Sequence, residues 1–121
     1  MTENEKNKRC RELPVLQTCK TKWEGGESQF PYPIYDANVT EWNMKLYSLG
    51  LTDDNYRENY ELCKDKEISE LTRDEILTIM TYTIRAERFV TGAIAHALED
   101  GTLEQMSVRL HELTAETDIA S

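Results

Sequence analysis

The chain has 121 residues, of which 39% are hydrophobic and 31% charged, with 23 acidic residues against 14 basic ones and a formal net charge of −9. That is enough for one small domain with a real core, and no apolar run approaches the roughly 20 residues that cross a bilayer, which excludes a membrane-spanning chain. The charge is uneven: residues 1–22 hold six bases and three acids, a net +3, and the remainder is a net −12, which repels nucleic acid unless its few bases cluster.

Residues 1–13 are polar and charged with little to bury, so a disordered tail, or at most a frayed helix, is expected. The first ten residues lack an apolar leader stretch, and no secretory signal is expected. Cys10, Cys19 and Cys63 are odd in number and spaced by 9 and 44, which fits neither a zinc signature nor a complete disulfide set. Free thiols in a reducing, cytoplasmic setting are expected.

Gly25-Gly26 marks a turn, and the flanks 18–23 and 28–30 can pair as a short hairpin. The segment Phe30–Tyr35 cannot be helical, because Pro31 and Pro33 fix their own φ and extend the residues before them. The first firm helix is predicted over 39–49, capped by Asp36 or Asn38. Val39, Trp42, Leu46 and Leu49 form its apolar face, and Gly50 terminates it. A weaker helix is predicted over 53–65, with Tyr56, Tyr60 and Cys63 on one face and Asp53 and Asp54 at its positive end.

Thr72–Glu75 reads as a capping box that opens a helix over 73–99, with Gly92 as a candidate bend. Thr102–Gln105 reads as a second capping box, opening a helix over 103–113 whose stripe is Leu103, Met106, Leu110 and Leu113. The fold expected is mainly α: a single small domain of about four helices over 14–114, with an irregular N-terminal third. Residues 115–121 form a polar tail.

One stretch resists a purely structural account. On a continuous helix Glu87 lies in a stripe with Met80, Ile84, Ile94 and Leu98, where a carboxylate is costly unless bonded. Arg85 and Arg88 have no acid three or four residues away. In one reading, residues of another helix or loop carbonyls around Tyr32–Asp36 satisfy Glu87 and one arginine. In the other, Arg85 and Arg88 grip a small anion or an acidic partner, with Gly92 allowing close approach.

The stretch Tyr32-Pro-Ile-Tyr-Asp36, then Val39 and Trp42, Leu46-Tyr-Ser-Leu-Gly50, Thr81-Tyr-Thr-Ile-Arg-Ala-Glu-Arg-Phe89, Gly92, Gly101 and Arg109-Leu110 resembles a domain-of-unknown-function family of small bacterial and phage proteins. That family carries an Arg-x-Glu-Arg-Phe-x-x-Gly signature, which falls here on Arg85, Glu87, Arg88, Phe89 and Gly92, with Tyr82 beside it. The resemblance spans about residues 30–113. It implies an apolar N-terminal helix, which residues 1–20 do not supply, and an accessory role in phages or mobile elements, such as interference with a host defence system.

Catalysis has little support. There is no P-loop, dinucleotide fingerprint or HExxH motif, and no nucleophile stands beside a base. A buried Glu87 acting as a general base is the one opening. His96 with Glu99 and Asp100 is a local cluster that a helix C-terminus explains equally well, so no metal is expected, and no cofactor. The aromatics Tyr32, Tyr35, Trp42, Tyr47, Tyr56 and Tyr60 either rim a ligand pocket or pack the core.

Two functions are therefore carried forward. The first is a non-enzymatic acidic interaction protein, a phage or mobile-element accessory that binds and blocks a host protein. Its acidic surface is Asp53, Asp54, Glu58 and Glu61, and Tyr35, Tyr82, Arg85, Glu87, Arg88 and Gly92 contact the partner or ligand. The alternative is a small-ligand or nucleotide-sequestering protein that uses Arg85 and Arg88 on an anion. Direct nucleic-acid or membrane binding is not expected, and homodimerisation is compatible with both.

Overall fold

The computed structural model describes residues 2–18, 20–25 and 32–115. Its elements are α1 (Glu3–Arg11), β1 (Lys22–Glu24), β2 (Tyr32–Ile34), α2 (Ala37–Ser48), α3 (Tyr56–Cys63), a 3-10 turn at Ile68–Glu70, α4 (Arg73–Ala86), α5 (Ala93–Glu99) and α6 (Thr102–Thr114). The expected mainly α single domain is found, with six α-helices among the described residues where about four were expected from periodicity. Among the described residues, no helix is long and apolar enough to cross a membrane.

Helix α2 forms where its apolar spacing placed it. Val39, Trp42 and Leu46 are buried on one face, with Leu49 partly buried beside them. It ends in a Schellman motif: Leu51 N–H donates to the Leu46 carbonyl and Gly50 N–H to that of Tyr47. Gly50 takes φ +69, which glycine adopts without a Cβ penalty. Asp36 is the N-cap residue, but its side chain makes no capping bond.

Helix α6 is the hub, packing on α1, α4, α5 and the 3-10 turn. Leu103, Met106 and Leu110 are buried in the core as their spacing requires. Leu113 was assigned to the same stripe but is 40% exposed, and Thr114 is buried instead, donating to the Leu110 carbonyl. The expected Thr102–Gln105 capping box is absent. Gly101 is the N-cap at φ +84, and Thr102 N–H donates to Asp100 Oδ1 from inside the helix. By contrast, the Thr72–Glu75 box is complete, with Thr72 and Glu75 each accepting from the other's backbone N–H.

Four further expectations are corrected. Residues 3–11, expected as a disordered tail or at most a frayed helix, form a capped helix. Apolar area contributes little to α1, where only Cys10 is buried, but its polar side chains reach across the molecule. Arg9 donates to the Leu49 carbonyl at 2.8 Å and Arg11 to that of Thr114, while Arg73 donates to Asn7 and Glu3. Leu13 and Leu16, just after α1, are buried in the core.

The hairpin is displaced from its expected place. β1 pairs antiparallel with β2 in the register Lys22–Ile34, Trp23–Pro33 and Glu24–Tyr32, and residues 28–30 lie outside the described residues. The helix expected over 53–65 is shorter, because Asp53 holds the turn before it. Asp53 Oδ1 accepts from Asn55 N–H at 2.8 Å, and the Asp53 carbonyl accepts from Tyr56 N–H.

The fourth correction positions the candidate site. Residues 73–99 are two helices. α4 stops at Ala86, residues 87–92 turn, and α5 begins at Ala93. The two meet in an elbow that packs α5 back onto both α4 and α6.

Candidate functional site

The elbow is built around Glu87. Its Oε1 accepts from the Tyr35 hydroxyl at 3.1 Å and from Ile94 N–H at 2.9 Å, and its Oε2 accepts from Gly92 N–H at 3.1 Å. The Tyr35 hydroxyl in turn accepts from Ala95 N–H at 3.2 Å. Ala93 N–H donates to the Val90 carbonyl.

Every backbone donor from Gly92 to Ala95, the set that a helix start leaves without partners, is thereby satisfied. Gly92 has no side chain with which to cap α5. Glu87 caps it from five residues upstream, and its charge suits the positive end of the helix. Burial, with the Glu87 carboxylate next to it, pushes the Tyr35 hydroxyl well above the usual tyrosine range and keeps it protonated.

Gly92 has two reasons to be glycine. Its φ is +97, and a Cβ there would lie 2.6 Å from the Trp23 indole, which covers it. The close approach expected for a ligand is therefore made by the protein's own hairpin.

Of the reading in which another segment satisfies both Glu87 and one arginine, the structure meets only the Glu87 half, through Tyr35, and no arginine enters this network among the described residues. The Arg85 guanidinium lies 5.6 Å from the centroid of the Tyr47 ring, and its Nε is buried without an acceptor. Arg88 is exposed, and neither arginine forms an ion pair or hydrogen bond among the described residues. Beside them Phe89 is 79% and Val90 61% exposed.

Arg85 opens onto a groove of about 330 Å³ between α3 and the end of α4, lined by Tyr56, Arg57, Tyr82, Phe89 and Val90 among others. Tyr82 stacks on Tyr60 with ring centroids 3.8 Å apart and meets Tyr56 edge-on at 6.3 Å.

The chain belongs to a family of unknown function, DUF6508. The family model matches residues 9–116, nearly the whole chain. No curated protein and no solved structure matches it.

The acidic residues separate by role. Asp54, Glu58 and Glu61 are exposed, and Glu61 pairs with Lys64 at 2.9 Å. Asp53 is turned inward. Its Oδ2 accepts from the Thr78 hydroxyl at 2.6 Å and from Asn59 at 2.8 Å. Burial raises the Asp53 pKa, but bonds from Asn59, Thr78 and the Asn55 backbone outweigh it and hold the carboxyl below the usual range. Asp53 thus locks α3 onto α4 and is withdrawn from the acidic surface.

The aromatic set divides likewise. Trp42 is fully buried and packs the core, the second of the two expected roles. Tyr35 serves the elbow, and the Tyr32 side chain lies outside the described residues. Tyr47 and Tyr56 do reach the site, each beneath an arginine. Arg57 was missed in the sequence, because α3 gave no reason to separate it from a solvated face. Trp23 was missed because nothing local ties it to Gly92. Cys10 and Cys63 are buried free thiols, and Cys19 lies outside the described residues. Among the described residues, no three His, Cys, Asp or Glu side chains converge to hold a metal.

Proposed function

We propose that this protein is a binding module without chemistry of its own, which engages a protein partner through the α4–α5 elbow. The supporting observation is that Phe89 and Val90 project into solvent from a turn whose N–H groups at residues 87–90 bond to backbone carbonyls and whose junction with α5 is held by Glu87 and Tyr35. Large apolar side chains held outward on a rigid support suit a contact surface better than a mobile loop does, because little entropy is lost on docking. An enzymatic role for Glu87 is disfavoured, since both its oxygens already accept bonds that build the fold.

The resemblance noted in the sequence supplies the setting of a phage or mobile-element accessory that blocks a host protein. The exposed acids Asp54, Glu58 and Glu61 beside the groove add a salt-sensitive rim to the contact. The test compares the intact protein with Phe89→Asp as paired baits in cell extract, followed by native mass spectrometry. A partner protein bound in stoichiometric amount by the parent and lost by Phe89→Asp, with unchanged melting, supports the reading. Retention of a small anionic mass with no protein would favour ligand sequestration at Arg85 and Arg88 instead.

A further inference from the structure

The seven arginines fall into two sets. Arg9, Arg11, Arg73 and Arg109 each reach another segment, donating to Leu49, Thr114, Glu3 with Asn7, and Leu71 respectively. Arg57, Arg85 and Arg88 reach none among the described residues. The one bond of Arg57 is to the hydroxyl of its neighbour Tyr56, over whose ring it lies at 5.8 Å. In a chain with 23 acidic residues, the other four arginines and Lys6, Lys45, Lys64 and Lys66 have found acids or carbonyls. Here two of these guanidiniums, Arg57 and Arg85, border one groove, and Arg85 holds a buried Nε with no acceptor. Such a donor is unfavourable until something supplies one.

We infer that the groove beside the elbow receives a segment of a partner protein in which an Asp or Glu stands next to an aromatic or branched aliphatic residue. Arg85 and Arg57 take the carboxylate, and Tyr82 and Phe89 take the apolar neighbour. This rests on the reading of the elbow as a protein-binding surface and adds the chemistry of what it binds.

The groove chooses among anions by its surroundings. Its walls are mostly aromatic and aliphatic, which suits an anion that brings apolar surface with it rather than a hydrated inorganic ion. Arg57 and Arg85 also border an adjoining cavity of about 400 Å³ that Asp54 and Glu58 share, and Glu61 lines the groove itself. A nucleic acid, charged along its whole length, meets that acidic rim and is repelled. A single carboxylate is not, and basic residues further along the same segment gain from the rim. Guanidiniums resting on tyrosine rings are also pre-set for planar, bidentate bonding to a carboxylate.

The test uses the full chain and a displayed library of random linear peptides. Enriched sequences should place Asp or Glu beside Phe, Trp, Leu or Ile. Fluorescence anisotropy with a selected peptide should show roughly tenfold or greater loss in both Arg85→Gln and Arg57→Gln, as expected for a lost charge-assisted bond. Replacing the peptide's acid by its amide should cost a similar factor. Arg57 lies on an exposed face of α3, so its variant keeps the test sound if Arg85→Gln disturbs packing. The inference is overturned by enriched peptides without an acid, by no enrichment at all, by binding indifferent to both arginine variants, or by tripolyphosphate or single-stranded RNA displacing the peptide. If Phe89→Asp abolishes binding while the arginine variants do not, only the carboxylate assignment fails. If Phe89→Asp is also without effect, the elbow reading fails with it.

Discussion

Replacing Glu87 by glutamine removes a charge while keeping the shape, so it isolates what the carboxylate does in the elbow. Three donors converge on it: Tyr35 Oη–H, Gly92 N–H and Ile94 N–H, at 3.1, 3.1 and 2.9 Å. The amide oxygen of a glutamine can keep Tyr35 and Ile94, and its NH2 group must then face the N–H of Gly92. One charge-assisted bond, worth about 1.5–3 kcal/mol, is lost to a donor–donor contact, and the two retained bonds fall to roughly half strength. A total loss of about 2–3 kcal/mol is expected, softened by the partial exposure of the site. In a domain of this size that lowers the melting temperature by very roughly 8–15 °C. Helix α5 has only seven residues and cannot hold itself together without a cap, so hydrogen exchange should rise first at Ile94 and Ala95. Tyr35→Phe removes one bond to Glu87 and one from Ala95, costing about 1–2 kcal/mol, and the double variant should show coupling between the two sites. Urea melts of the four proteins measure this. A Glu87→Gln variant within about 0.5 kcal/mol of the parent would refute the network as the device that shapes the elbow.

Arg88→Ala should melt like the parent, and Arg85→Ala should lose no more than about 1 kcal/mol from its contact with Tyr47, since neither belongs to the network; unfolding of both would reduce the segment to scaffold. Gly92→Ala should cost about 1–2 kcal/mol from its φ of +97 alone, with a further loss that Trp23→Ala relieves, read from urea melts of the single and double variants. Leu110→Ala, at a site 1% exposed, should cost about 2–5 kcal/mol in the same assay, and a loss under 0.5 kcal/mol would place the core face of α6 wrongly. Charge reversal at Asp54, Glu58 and Glu61 should leave melting unchanged, whereas Asp53→Asn should cost about 1–3 kcal/mol by weakening its bonds to Thr78, Asn59 and Asn55. Burial pushes the Cys10 thiol up to about 11, so the stability it contributes is complete below the ordinary thiol range and is lost as pH rises through that value. Alkaline melts that steepen between about pH 9 and 11 in the parent and flatten in Cys10→Ala would show this.

What the sequence made legible was burial with a period. Val39, Trp42 and Leu46, or Leu103, Met106 and Leu110, are spaced as a helix face requires, and they lie in the core. Helix α1 had no such face. It is held by Arg9, Arg11 and Arg73 bonding to carbonyls and side chains 40, 103 and 66–70 residues away, and composition cannot express contacts of that range. Leu113 shows the reverse failure: its spacing is right, but in the last turn of the hub helix the buried face runs from Leu110 to Thr114, so the Leu113 side chain stands 40% exposed.

The elbow shows how a local contradiction can mark a structural event. On an unbroken helix over 73–99, Glu87 would point into the core with no base within one turn. That cost has two remedies, a distant partner or the end of the helix, and the chain uses both. Ending α4 at Ala86 lifts Glu87 out of the apolar stripe, and its carboxylate then finds the donors that the new helix start leaves bare. The same break carries Arg88, Phe89 and Val90 off the packed face and into solvent, where none of them has a contact that the fold needs. Glu87 and Gly92 are therefore accounted for by construction of the turn, and Arg85, Arg88 and Phe89 are not. That division, absent from the sequence because all five sit within eight residues of one another, assigns the first pair to architecture and is the ground on which the other three are proposed for a partner.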